Sequence, residues 1–448
     1  MTLRINIIGM KKRLSIIIFL LPIITHAQII TLFAGGGTSG LGDGGLATSA
    51  QVPDPVGGTF DRYGNYYCAE GDANRIRKVN NVNIITTIAG NGAGGFTQDS
   101  IEATDAELNL PWAVKIDSAD NVYICDGGNN RVRKVDAITG VITTFAGTGV
   151  AGYGGDNGSA TTALLNDPQD ICFDKQGNLY IADQSNNRIR KIDMSGVITT
   201  IAGTGTPGFT GDNAAATAAE LRSPQGLAID DTGNLYIAGG NVVRKVNTSG
   251  IITTVAGVDG MFVYSGDGIP ATNAPMYPIK IAIDPLGQLI IADYSNDRVF
   301  RVDLTGIIYT IAGNGIAGHS GDNGPATDAE FDYPAGLTFD SCGNLYITDV
   351  GGGGRIRKVS LNPACWPEAV ENTIKTTAVN IYPNPTYSTI TITAPTLINN
   401  VTITNMLSQQ VYAHSYSTSK AEIDVSNLPQ GVYTVRVNDT YVQKLVKE

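Results

Sequence analysis

Histidine is scarce in this 448-residue sequence: there are three, His26, His319 and His414. His26 falls in an N-terminal apolar segment and His414 near the C-terminus. A centre built on several histidine ligands, or a Ser/His/Asp triad, would have to rely on His319 alone. No serine stands in a G-x-S-x-G turn. Charged residues make up only 16% of the chain, and no window sustains a helical period, which argues against a helical protein. The five cysteines are an odd number, so at least one thiol is unpaired within the chain. Positive charge is also short. Four of the 30 Lys and Arg residues precede residue 28, leaving 26 against 41 acidic residues, a net of −15. Such a chain repels nucleic acid and anionic lipid, and suits a cationic partner or a bound metal ion better.

The N-terminus reads as an export signal over residues 1–27. Lys11, Lys12 and Arg13 precede the apolar run Leu14 to Ile24, and Thr25-His26-Ala27 places a small residue at the cleavage point. That run is too short for a membrane span, and no second apolar run is long enough. The basic-then-apolar pattern starts after Met10, so either Met1 or Met10 fits as the start. Cys68, Cys125 and Cys172 sit at strand positions filled elsewhere by Ile181, Ala182 and Ala228, as buried free thiols would. Cys342 and Cys365 are left for a disulfide that an exported protein would tolerate.

What the sequence has in abundance is glycine, 54 residues, and repetition. IITLFAG, IITTIAG, VITTFAG, VITTIAG, IITTVAG and IIYTIAG close on Gly35, Gly90, Gly147, Gly203, Gly257 and Gly313. Each is followed by a glycine-rich segment, an Asp, an Ala-Thr pair, a proline and three short apolar runs. Four runs of strand length per copy at a fixed period predict an all-β fold, a six-bladed β-propeller of four-stranded blades over residues 28–361. The first copy begins with its last strand alone, and the final copy lacks that strand. Ile29 to Ala34 is therefore expected to pair with Arg355 to Ser360 and close the last blade, removing exposed edges.

The pieces PQGLAID, GNLYIADQSNNRIRKID and TIAGTG, with close versions in the other copies, resemble the NHL repeat family over about residues 29 to 361. That resemblance implies a propeller and a binding role, without fixing a ligand. After a linker over residues 362–378, the alternating runs of residues 379–448 predict a small β-sandwich. YPNP, IDVSNLPQGVYTVRV and the basic end KLVKE make it similar to the type A sorting domain of the type IX secretion system; the alternative is an Ig-like binding module. The resemblance implies type IX secretion machinery as a partner, and secretion or attachment at the outer cell surface.

Recurring residues suggest the working surfaces. In five copies an acid ends the second strand and an arginine opens the third: Glu70 with Arg75, Asp126 with Arg131, Asp183 with Arg188, Asp293 with Arg298, Asp349 with Arg355. Gly239 and Val242 replace both in the fourth copy, which suggests that the two side chains pair across a hairpin. The loop aspartates Asp43, Asp99, Asp156, Asp212, Asp267 and Asp322 suit turn-fixing bonds to nearby amides, or calcium ligation, since a hard cation takes several oxygens. No other cofactor is indicated. Phe96, Tyr153, Phe209, Tyr264 and His319 recur three residues before those aspartates, as a ring of flat side chains or as packing between blades. Trp112, Gln169, Asp170, Gln225 and Lys280 follow the inner-strand prolines and are expected at the channel mouth, on the face carrying the long connections. The function expected is recognition of a glycan, peptide or protein ligand there; the alternative is a propeller hydrolase or lyase using carboxylates or a metal. The G-x-G-x-x-G pieces repeat with the blades and no helix follows, so they read as turns.

Overall fold

In the computed structural model the chain forms two compact units, up to residue 366 and from residue 367 onward. The structure describes residues 28–38, 40–361, 380–382, 386–405, 409–438 and 441–447. The export signal, the linker and Cys365 therefore lie outside the described residues.

Among its described residues the first unit holds six antiparallel sheets. Their innermost strands are Pro55–Phe60, Pro111–Ile116, Pro168–Phe173, Pro224–Ile229, Pro278–Ile283 and Pro334–Phe339. Each touches the next, and the last touches the first, so the ring is closed. Ile30–Gly35 pairs antiparallel with Arg355–Val359, with Ile30 opposite Val359 and Gly35 opposite Arg355, as the repeat phase predicted. Blades 1 to 6 are numbered below by these inner strands.

Local chemistry explains the strand punctuation. After the inner strand of blade 1, Asp61 Oδ1 accepts the Tyr63 and Asn65 amides at 2.9 Å each, and the Tyr67 hydroxyl donates to Asp61 Oδ2. The same Asp, Asn and Tyr recur at Asp174, Asn178 and Tyr180. An Asp that satisfies two amides at once holds a tight turn.

The long connection between blades does not stay on one face. It runs down the outer edge of the next blade, where Ile101–Glu102 pairs with the outer strand Val141–Ala146 and the Ala103 amide reaches Gly140 O. It then returns along the seam, with the Asn91 amide on Ala106 O and the Gly95 amide on Leu108 O. Most of its length covers a sheet edge. Apolar clusters fill the seams, and Cys68, Cys125 and Cys172 are buried free thiols within them.

The second unit is not two separate sheets. Its strands form one hydrogen-bonded set, because Thr389–Asn405 and Gln410–Asp424 are long enough to run through both halves. Thr391 and Ile392 pair with Tyr382 and Ile381, whereas Thr402 and Ile403 pair with Arg436 and Val435. A register shift between Thr393 and Ile398 separates the halves, and both share one apolar core.

Candidate functional site

The third strands carry the most heavily buried charges. Arg77, Arg133, Arg190 and Arg357 are fully buried, and each meets two carboxylates. One belongs to the second strand and one to the preceding loop. In blade 3, Arg190 Nη1 lies 3.2 Å from Asp183 and Nη2 lies 2.7 Å from Asp156. Arg77 joins Glu70 and Asp43, Arg133 joins Asp126 and Asp99, and Arg357 joins Asp349 and Asp322.

This corrects the expected pairing. The arginine facing the acid is not the one opening the third strand but the one two residues later. Arg75, Arg131, Arg188 and Arg298 stand at the strand end and donate to carbonyls, such as Asn91 O, Thr148 O and Asn314 O. They pair with none of Glu70, Asp126, Asp183 and Asp293, nor does Arg355 pair with Asp349, although their backbones are in register. One rung deeper, a guanidinium has no water to reach and takes the acids instead. The loop aspartates Asp43, Asp99, Asp156, Asp212 and Asp322 serve this ion pairing. Asp267, whose blade has Phe300 in place of the arginine, holds Thr310 and Tyr264. Among the described residues no three acidic, cysteine or histidine side chains converge as a metal site would require.

Burial outweighs the hydrogen bonds to the inner acids and, outside blade 5, the nearby arginines. It pushes Asp126, Asp183, Asp293 and Asp349 up to about 6 and Glu70 to about 7.

The flat side chains are spoken for by the same hairpins. Phe96 lies 3.8 Å under Arg131, Tyr153 3.7 Å under Arg188, Tyr264 4.4 Å under Arg298 and Phe209 4.4 Å under Arg222. His319 Nδ1 is 3.2 Å from Asp349. They pack within blades and do not ring the channel.

The inner-strand group divides in two. Asp170 and Lys280 are not at the mouth but inside the channel. Gly226, on the blade between them, lets the backbone at Lys280 approach closely. An added Cβ there would lie 2.9 Å from Lys280 Cα. Lys280 Nζ donates to Gln169 O at 2.6 Å and lies 3.4 Å from Asp170, and burial lowers its pKa. Both line a small internal cavity with Gly57, Gly58, Lys115 and Gly336 of other inner strands.

Trp112 and Gln225 are half-buried, whereas Gln169 is as buried as Lys280. Trp112 is half-buried between the turns of blades 1 and 2. Gly71 and Gly127 permit this, since a Cβ at Gly127 would lie 2.3 Å from the indole Cδ1. Asp167 gathers the group: it accepts Trp112 Nε1 at 3.2 Å and Gln169 Nε2 at 2.9 Å. Further round the mouth, Tyr294 stacks on Tyr333 with centroids 4.5 Å apart. Asp54 and Asp332 act on Tyr294 electrostatically, and Asp72 on Asp54. None of Asp54, Asp72, Asp167 and Asp332 is in an ion pair. Burial and the neighbouring Asp72 outweigh an amide bond and raise the Asp54 pKa. Sequence reasoning missed these acids and tyrosines. The available signal was their shared place: Asp54, Asp167 and Tyr333 each directly precede an inner-strand proline.

Comparisons with known proteins agree with this architecture. Residues 380–448 match the secretion system C-terminal sorting domain, residues 108–135 the NHL repeat, and residues 149–208 and 206–265 the teneurin NHL domain. The chain is 29% identical to Teneurin-1 of Gallus gallus over 360 residues, which covers 71% of this chain but 13% of that protein. A structure of a Bacteroides thetaiotaomicron VPI-5482 protein of unknown function superposes with a TM-score of 0.55 at 20% identity, covering 75% of this chain and 76% of that one. An auxiliary nutrient binding protein from the same organism gives 0.55 at 17% identity, over 74% and 76%. The chain thus carries NHL repeats in a propeller and a sorting domain that directs type IX export to the cell surface or beyond. Among the described residues no helix is long and apolar enough to cross a membrane.

Proposed function

We propose that this exported NHL-repeat propeller is a recognition protein, and that it binds a positively charged peptide or amine-bearing glycan at the channel mouth. One observation carries the reading: Trp112, Tyr294 and Tyr333 share the mouth with Asp54, Asp72, Asp167 and Asp332, four carboxylates without a cationic partner. Aromatic faces beside unneutralised carboxylates suit a cation or the face of a sugar ring. The fold it shares with an auxiliary nutrient binding protein fits a binding role at the cell surface.

The test is a fluorescence titration of the mature protein in a Trp366→Phe background, which leaves Trp112 as the reporter. An oligolysine peptide and a chitosan oligosaccharide should each shift its emission, with affinity falling as salt rises. Asp54→Asn with Asp332→Asn should weaken binding at least tenfold. Salt-independent binding, or unchanged affinity in the double variant, would sink the reading.

A further inference from the structure

The connection that enters blade 5 departs from its counterparts. Ten positions separate Gly257 from Asp267, where nine separate Gly90 from Asp99, Gly147 from Asp156, Gly203 from Asp212 and Gly313 from Asp322. In blades 2, 3, 4 and 6 this stretch carries Gly-Gly, Ala-Gly, Pro-Gly and Ala-Gly just before the flat side chain. Here Met261, Phe262 and Val263 precede Tyr264. All three are exposed, at 55%, 54% and 70%. Single apolar residues on a surface are ordinary, but consecutive ones at a loop tip make a patch that marks an interaction site.

The backbone of this tip is fixed from two sides. The Met261 amide donates to Val258 O at 3.1 Å, closing a tight turn in which Gly260 takes a φ of 71°. Asn296, in the turn between the second and third strands of blade 5, donates to Phe262 O at 2.6 Å and accepts the Tyr264 amide at 3.1 Å. Asn129 and Asn186 make the same bond to Gly95 O and Gly152 O, so Phe262 takes a glycine's place. In blades 2, 4 and 6 a glutamate crowds that place: a Cβ on Gly95, Gly208 or Gly318 would lie 2.7, 2.2 or 2.4 Å from Glu107, Glu220 or Glu330 respectively. Those glutamates follow the alanine that ends the short helical turn. In blade 5 the residue after that alanine, Ala274, is Pro275, so the carboxylate is gone where the apolar side chain has come in.

The turn that holds the tip also carries part of the mouth. Tyr294 lies two residues before Asn296 and stacks on Tyr333, while Asp297 follows Asn296 and accepts the Tyr333 amide at 3.1 Å. Among the described residues Asp297, like Asp54 and Asp332, is in no ion pair, whereas Asp259 in the tip's own turn meets Arg222 at 3.7 Å. A neutral apolar tip and unneutralised carboxylates thus share one side of the mouth. We propose that Met261, Phe262 and Val263 are the apolar half of the binding surface, and that its occupant is a basic polypeptide with an apolar side chain next to its cations. This rests on the binding role proposed for the mouth and selects a polypeptide over a glycan. A sugar would bring hydroxyls that the tip leaves without partners, whereas an apolar side chain loses surface to water there. An anionic lipid surface is repelled by the carboxylates of the mouth.

The experiment is a calorimetric titration of the full mature chain with two blocked peptides of equal charge, Lys-Leu-Lys-Leu-Lys and Lys-Ser-Lys-Ser-Lys. Wild type should bind the leucine peptide roughly tenfold more tightly. A triple variant, Met261→Ser with Phe262→Ser and Val263→Ser, should bind both peptides with the affinity that wild type shows for the serine peptide. Should the triple variant not fold, Phe262→Gly, which restores the residue of the other blades, takes its place and should lose most of the preference. Equal affinities in wild type, or an unchanged preference in the folded variant, overturns the inference. The mouth reading still stands in that case if Asp54→Asn with Asp332→Asn weakens the serine peptide. Binding of neither peptide removes both. Sedimentation of wild type with phosphatidylcholine vesicles, lost in the triple variant, would assign the tip to a lipid surface and overturn the inference as well.

Discussion

Blades 3 and 4 are neighbours built from the same repeat, yet they solve the same electrostatic problem differently. Blade 3 buries Arg190 between Asp183 and Asp156. Blade 4 buries Arg244 against Asp212 alone. Blade 5 does the reverse: it keeps Asp293 and replaces the arginine with Phe300, which stacks on Tyr264 at 5.4 Å. A buried pair costs desolvation on both sides, so an apolar replacement of one partner survives when the other finds hydrogen bonds. Asp293 does so with Asn296 and the Tyr277 amide. Arg244 does so only in part, through two long carbonyl contacts. The comparison shows that the repeated arginine clasp is dispensable blade by blade.

The largest effect expected from disturbing the comparison is in blade 3. Asp183→Ala removes the acceptor of Arg190, Asn186 and the Asn166 amide together, and should cost about 3 kcal/mol in denaturant unfolding. Asp183→Asn should cost less, because burial already disfavours the charge there.

pH sharpens the same contrast. The inner acids are held up at about 6, above their unfolded value near 4. The folded state then binds more protons than the unfolded state between those limits, so stability increases as pH falls from about 7 to about 4.5. Below that it declines as Asp61, Asp174 and Asp230, held below the usual range by their turn hydrogen bonds despite some burial, are protonated in turn. Hydrogen-exchange protection factors, corrected for the intrinsic pH dependence, should rise in blade 3 from pH 7 to 5 and stay flat in blade 4, which has no inner acid.

Grafting the blade 3 turn Asp183 to Arg188 in place of Gly239 to Val242 should complete the clasp on Arg244 and add about 1–2 kcal/mol, read from the denaturant midpoint. No gain would mean that Arg244 is already satisfied. The smallest expected difference is between loop acids. Asp212→Ala leaves Arg244 without any acid, whereas Asp156→Ala leaves Arg190 with Asp183. The first should therefore be costlier by about 1 kcal/mol.

The sequence was sufficient for the ring and its closure. Six copies in phase, a spare outer strand at Ile30–Gly35 and a missing one after Val359 allow little else, because an unpaired sheet edge has to be covered. It was also sufficient for the export route, carried by residues 380–448, which match a sorting domain. It misled on the clasp. Glu70 stands opposite Arg75 in register, and blade 4 loses both equivalents together, but that loss follows from a shorter turn. Which of two arginines on one strand face reaches the acid depends on where water stops, and linear spacing does not contain that boundary. The same holds at the centre. Nothing in the run Pro-Ile-Lys shows that Lys280 meets Asp170, a contact between residues 110 positions apart. Period and punctuation are local and survive in the sequence; burial, charge pairing and the shape of the mouth are set by six inner strands meeting at one axis, and only the closed tertiary structure decides them.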